Sequence, residues 1–136
     1  MTGQHDLTID QLDGPVWGDP PDDATDLIRE VYRLRQVPLD SLVPSDLRLL
    51  TGQDVACPVT VPRALSMLQH NPLIKATYYE GDLLVSLLTR SVGFWASHRR
   101  LLRDLAKCVG QAERTPNNIQ QDLATFHNEV PRQLTD

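Results

Sequence analysis

Cysteine, aromatic residues and long apolar runs are all scarce in this sequence, and each scarcity removes a class of protein. Cys57 and Cys108 are too few for a disulfide scaffold and read as small, reduced, partly buried hydrophobes. No apolar run approaches the roughly 20 residues that a membrane span requires. The opening residues, MTGQHDLTID, lack the basic start and apolar centre of a signal peptide. A cytoplasmic location without a membrane partner is therefore expected. His5, His70, His98 and His127 are scattered, and neither cysteine has a Cys or His three to five places away, so no metal site is expected. Gly-x-Ser-x-Gly, phosphate-binding glycine loops and His-Glu-x-x-His are missing as well. No catalytic residue, no cofactor and no small-molecule substrate is expected.

Positive charge is missing from one end. Residues 1–28 hold seven aspartates and no Lys or Arg, which leaves 11 of the 18 acids against all 13 cations in the remainder. The net charge is −5. An acidic arm of this kind suits solvation of a terminus, a basic partner, or the chain's own basic segment at Arg90, Arg99, Arg100, Arg103 and Lys107.

What remains is 136 residues with enough apolar content, 40%, to bury a core of its own. Gly14-Pro15 and Gly18-Asp19-Pro20-Pro21 mark an acidic, Pro/Gly-rich lead-in over residues 1–21, pinned to the body by burial of Trp17. A single helical domain is expected over 22–136. Leu27, Ile28, Val31 and Leu34 share a helical face and predict a first helix near 22–36, with Asp22 and Asp23 at its positive end. Pro44 opens a second helix that carries Leu47, Leu49 and Leu50 and closes near Gly52. Pro62 opens a third, stopped by Asn71-Pro72. Leu83, Leu84, Leu87 and Leu88 form a short fourth. One or two helices span 91–112 with Gly93 as a joint, and Thr115-Pro116 starts a last one through Ile119, Leu123, Phe126 and Val130. Only VACPVTV (55–61) has the β-branched density of a strand, and its proline restricts it to an edge or loop. The predicted fold is all-α, a compact orthogonal bundle of five to seven short helices.

The candidate site lies in NPLIKATYYEGDLLVSLL (71–88). Tyr78 and Tyr79 are adjacent, so both cannot face one core, and an outward tyrosine is a favoured interface anchor. Glu80 and Asp82 flank Gly81. They suit capping of the next helix, recognition of a partner, or an acid–base pair with separated pKa values. Arg99-Arg100-x-x-Arg103 and Lys107 invite a nucleic-acid reading, since Arg99 and Arg103 stand four apart on one helical face. The negative net charge and the lack of a known nucleic-acid-binding pattern favour a solvated face instead.

Four motifs occur in order: LDGPVWGDPP (12–21), PLDSLVPSDLRLLTGQ (38–53), VPRALSMLQHNPL (61–73) and YYEGDLLVSLL (78–88). Together they resemble a family of bacterial immunity proteins of contact-dependent growth inhibition (CDI) systems, over roughly residues 10–98. The family typically places a polar cap before its DLR helix, where this chain has Val43. The resemblance implies a cytoplasmic protein that binds and neutralises a cognate toxin domain, often a nuclease, and is not an enzyme. Nuclease toxins bind phosphates and tend to be basic, which matches the net −5. Asp19, Asp22, Asp23, Tyr78, Tyr79, Glu80 and Asp82 are the residues expected to meet the toxin. The alternative is a small regulatory nucleic-acid-binding module using the basic helix around 99–107.

Overall fold

The computed structural model describes residues 7–14 and 16–130. Within them the chain forms eight α-helices and no strand: α1 (Ile9–Asp13), α2 (Asp26–Leu34), α3 (Pro44–Gly52), α4 (Cys57–His70), α5 (Asp82–Leu88), α6 (Val92–Ser97), α7 (Arg99–Glu113) and α8 (Gln120–Glu129). A 3-10 turn, Leu39–Ser41, lies between α2 and α3. The all-α expectation holds, with one helix more than the five to seven foreseen.

That extra helix is α1, which sits inside the stretch expected to be an extended lead-in. Thr8 and Gln11 close a capping box around its start, with the Gln11 amide N–H donating to Thr8 Oγ1 at 3.2 Å and the Thr8 N–H donating to Gln11 Oε1 at 2.8 Å. Ile9 is fully buried, and α1 packs on α4. The segment is clipped down by Arg35, which has no exposed surface and donates to Asp10 at 2.7 Å and Asp13 at 3.1 Å. The Arg35 guanidinium also lies 4.0 Å from the Trp17 ring centre. Trp17 thus pins this segment, but by cation–π contact and a tilted stack on Tyr32 rather than by the burial expected of it; its ring stays 42% exposed.

The first long helix is shorter than the periodicity suggests. Thr25 caps α2 by accepting from the Ile28 N–H at 3.2 Å, which leaves Asp22 and Asp23 in the turn before it and Leu27 and Ile28 exposed. Pro44 opens α3 as expected. Val43 has no side-chain acceptor to offer there, yet its own N–H donates to Asp46 at 3.0 Å, so half of a capping box survives.

The strand-like VACPVTV segment is helical from Cys57 onward. Asp54 and Ala56 take left-handed backbone conformations (φ 59° and 49°) that turn the chain into α4. Pro58 then occupies the first turn, where a missing N–H costs nothing. Thr60 and Val61 are buried, so packing overrides their strand preference. Pro62 consequently lies inside α4 instead of opening it. The helix serves as the hub against which α1, α3, α5 and α7 pack. The later break also moves: Ser91 caps α6, Gly93 is helical, and the joint is His98, whose ring stacks 4.4 Å from Phe94. Thr115-Pro116 does not open α8. Asn117 organises that loop instead, donating to the carbonyls of Ala112 and Thr115 and accepting from the Ile119 N–H.

Candidate functional site

Asn71 ends α4, and a ten-residue excursion, Pro72 to Gly81, returns the chain to α5. Its conformation is set by backbone hydrogen bonds together with one carboxylate. Lys75 and Glu80 form an antiparallel bridge. The Gly81 N–H is shared between the carbonyls of Leu73 (3.0 Å) and Ile74 (3.3 Å). Inside this loop three consecutive N–H groups converge on one carboxylate. Asp82 accepts from Ala76 at 2.6 Å, Thr77 at 2.8 Å and Tyr78 at 2.8 Å.

Asp82 is only 2% exposed. Burial acts to raise its pKa, but backbone hydrogen bonds from Tyr78, Ala76, Thr77 and Tyr79 outweigh it and hold the carboxyl below its ordinary value. The residue was expected to serve the start of the fourth helix. It is indeed the first residue of α5, but its oxygens satisfy the loop that precedes the helix and not the helix's own free N–H groups. Such a carboxylate stays ionised and its acceptor sites are occupied, which is the opposite of the raised pKa a general acid needs. Glu80 is exposed, so the two acids do not share a closed site.

Gly81 is required twice at this junction. Its φ of +91° suits glycine, and a Cβ here would lie 2.8 Å from Ile119 Cδ1. The loop is therefore closed from behind by the residue that precedes α8.

The result is a firm corner whose outer face is aromatic. Tyr78 is 67% exposed and Tyr79 38%, so both residues are partly presented outward, where at least one was expected to be. Sequence reasoning missed the group beneath them. Arg48 on α3 places its guanidinium 4.5 Å from the centre of the Tyr78 ring and its Nε 3.7 Å from Asp82 Oδ2. Nothing in the spacing of Arg48 and Asp82 signals a pair, because the contact exists only once α3 and α5 pack. That packing is locked by a buried hydroxyl pair, Thr51 Oγ1 and Ser86 Oγ at 2.9 Å. A groove of about 270 Å³ runs between the two helices beside Tyr79, with Arg48 and Arg90 among its walls.

The other candidates lie elsewhere on the chain. Asp19, Asp22 and Asp23 are exposed before α2, and among the described residues their carboxylates make no ion pair. Arg99, Arg100, Arg103 and Lys107 are exposed along α7. His5 lies outside the described residues, and among those described no group of three or more His, Cys, Asp or Glu could hold a metal ion.

A family model for CDI immunity proteins matches residues 11–105, a span that runs from α1 through the tyrosine corner into α7. The chain belongs to the CDI immunity proteins. No curated protein and no solved structure matches it. The corner and its support from Arg48 and Asp82 fall within the part shared with the CDI immunity family, whereas Ile119, which closes the loop from behind, lies beyond it. Among the described residues no helix of this immunity protein is long and apolar enough to cross a membrane.

Proposed function

We propose that this immunity protein neutralises its cognate toxin domain by occupying it, without chemistry of its own, in the cytoplasm of the producing cell. The observation that carries this reading is the corner itself: two exposed tyrosines on a loop whose backbone is fixed before any partner arrives. Fixed aromatic rings lose little entropy on binding and are enriched among the residues that dominate interfaces. Tyr78 and Tyr79 are the anchors and Glu80 is a rim charge beside them. Asp82 contributes from below, by holding the loop and not by touching the toxin. Asp19, Asp22 and Asp23 provide a second acidic surface that favours a basic toxin, such as a nuclease, through long-range attraction.

The test is co-expression with the toxin domain encoded beside this chain, followed by binding kinetics on purified variants shown to be folded. Tyr78→Ala or Tyr79→Ala weakens binding by about 2 kcal/mol or more, roughly 30-fold in Kd, chiefly through faster dissociation. Glu80→Lys slows association, most strongly at low salt. Toxin killing that continues unabated, with no complex formed, would remove the reading. Parent-like kinetics for all three variants would reduce the corner to architecture.

A further inference from the structure

The Arg48 guanidinium is held in place without using its terminal nitrogens. Its orientation comes from the Tyr78 ring above it and the Asp82 carboxylate beside Nε. Among the described residues neither Nη group of Arg48 donates a hydrogen bond, and the side chain is 31% exposed. Arg90, on the same groove, differs. It spends Nε on the Ser86 carbonyl, Nη1 on Asp54 and Nη2 on Thr89, and its side chain is only 11% exposed. The charge on Arg48 is also only partly answered, because Asp82 sits at 3.7 Å and already accepts three backbone N–H groups.

A guanidinium with an unspent fork is built for a planar, doubly accepting anion. Here the fork is positioned in advance, at the edge of an open groove that carries a second cation. Binding a carboxylate there costs little side-chain entropy, because Arg48 is already ordered. We infer that Arg48 is a specificity-determining anchor that receives an Asp or Glu side chain of the toxin, between the tyrosine corner and the α3–α5 groove. The toxin surface that meets this corner then carries one acidic residue within an otherwise basic field. A competitor toxin lacking it leaves the Arg48 fork unanswered in the complex and is rejected. This inference rests on the proposed toxin-binding role of the corner.

The experiment is a double-mutant cycle on the complex with the toxin domain encoded beside this chain. Arg48→Met keeps a long side chain beneath Tyr78 while removing the fork, and Arg48→Lys keeps the charge while removing the planar geometry. Each surface Asp and Glu of the toxin is changed singly to Ala. Arg48→Met is expected to raise Kd by 10-fold or more, mainly through dissociation, and Arg48→Lys to recover only part of the loss. One toxin carboxylate variant should show a matching loss, and combining it with Arg48→Met should add little further. A merely structural role for Arg48 would weaken binding without coupling to any single toxin carboxylate, and that result overturns the inference. So does parent-like binding by a folded Arg48→Met variant. Failure of the parent chain itself to bind the toxin overturns the proposed function as well, so the two failures are distinguishable.

Discussion

Replacing Asp82 by Asn changes almost no volume, yet it should be among the most damaging exposed-loop-to-helix substitutions available in this chain. The carboxylate accepts three N–H groups at 2.6–2.8 Å in a position only 2% exposed. An asparagine has a single carbonyl oxygen and turns an NH2 group toward the remaining donors. At least one part-buried N–H then loses its acceptor, at up to about 1–3 kcal/mol, and the others lose the charge assistance that makes such bonds roughly twice as strong as neutral ones. The expected destabilisation is about 2–4 kcal/mol. Urea unfolding at neutral pH measures it. The pH dependence supplies a second, independent readout. The folded-state pKa of Asp82 is lowered, so its contribution is fully present above the ordinary carboxylate range and is lost as pH falls through the folded value. The stability gap between parent and Asp82→Asn should therefore be widest near neutrality and shrink on acidification. Taking the gap removes the effect of every other acid that both proteins share. A neutral-pH gap below about 0.5 kcal/mol, within the usual range for surface changes, would refute the reasoning. So would a gap that stays constant into acid.

Gly81→Ala should lose about 2 kcal/mol or more, combining a disfavoured positive φ with a Cβ 2.8 Å from Ile119; thermal unfolding checks this, and an unchanged Tm would contradict it. Arg35→Ala leaves Asp10 and Asp13 without their shared cation and should cost about 3–5 kcal/mol, measurable by denaturant unfolding followed at tryptophan. Both thiols have raised pKa values, Cys57 to about 11, with burial the largest cause. Neither cysteine should therefore react with iodoacetamide at pH 8 in the native protein over a period that labels both in denaturant, as mass spectrometry would show.

Local signals in the sequence were read well, and long-range ones hardly at all. Pro44, the leucines of α3 and α5, and the stop at Asn71-Pro72 act within a turn or two of themselves, so periodicity and punctuation reveal them. The adjacent tyrosines likewise announced that a ring must face outward. VACPVTV misled because its β-branched residues obey burial against α3, α5 and α7, and not their intrinsic preference. The pairing of Arg35 with Asp10 and Asp13 left no trace in spacing, and neither did the stack of Arg48 under Tyr78. Both are made by side chains that meet only after helices pack, so charge counting saw an acidic arm and a slightly basic body where the structure has a clasp and a socket. The role of Asp82 was half legible: its place at the start of a helix could be read, but the direction of its carboxylate could not.

Because the Asp82 carboxylate grips backbone N–H groups, it is indifferent to the side chains those residues carry. Thr77, Tyr78, Tyr79 and Glu80 all project from a loop whose path is dictated by Asp82, Gly81 and the carbonyls of Leu73 and Ile74. Any of the four can be exchanged without asking the loop to find a new shape. For a protein whose proposed role is to meet a toxin surface, that separates two problems that are usually entangled. The lettering on the key can be rewritten, one residue at a time, while its blank stays the same.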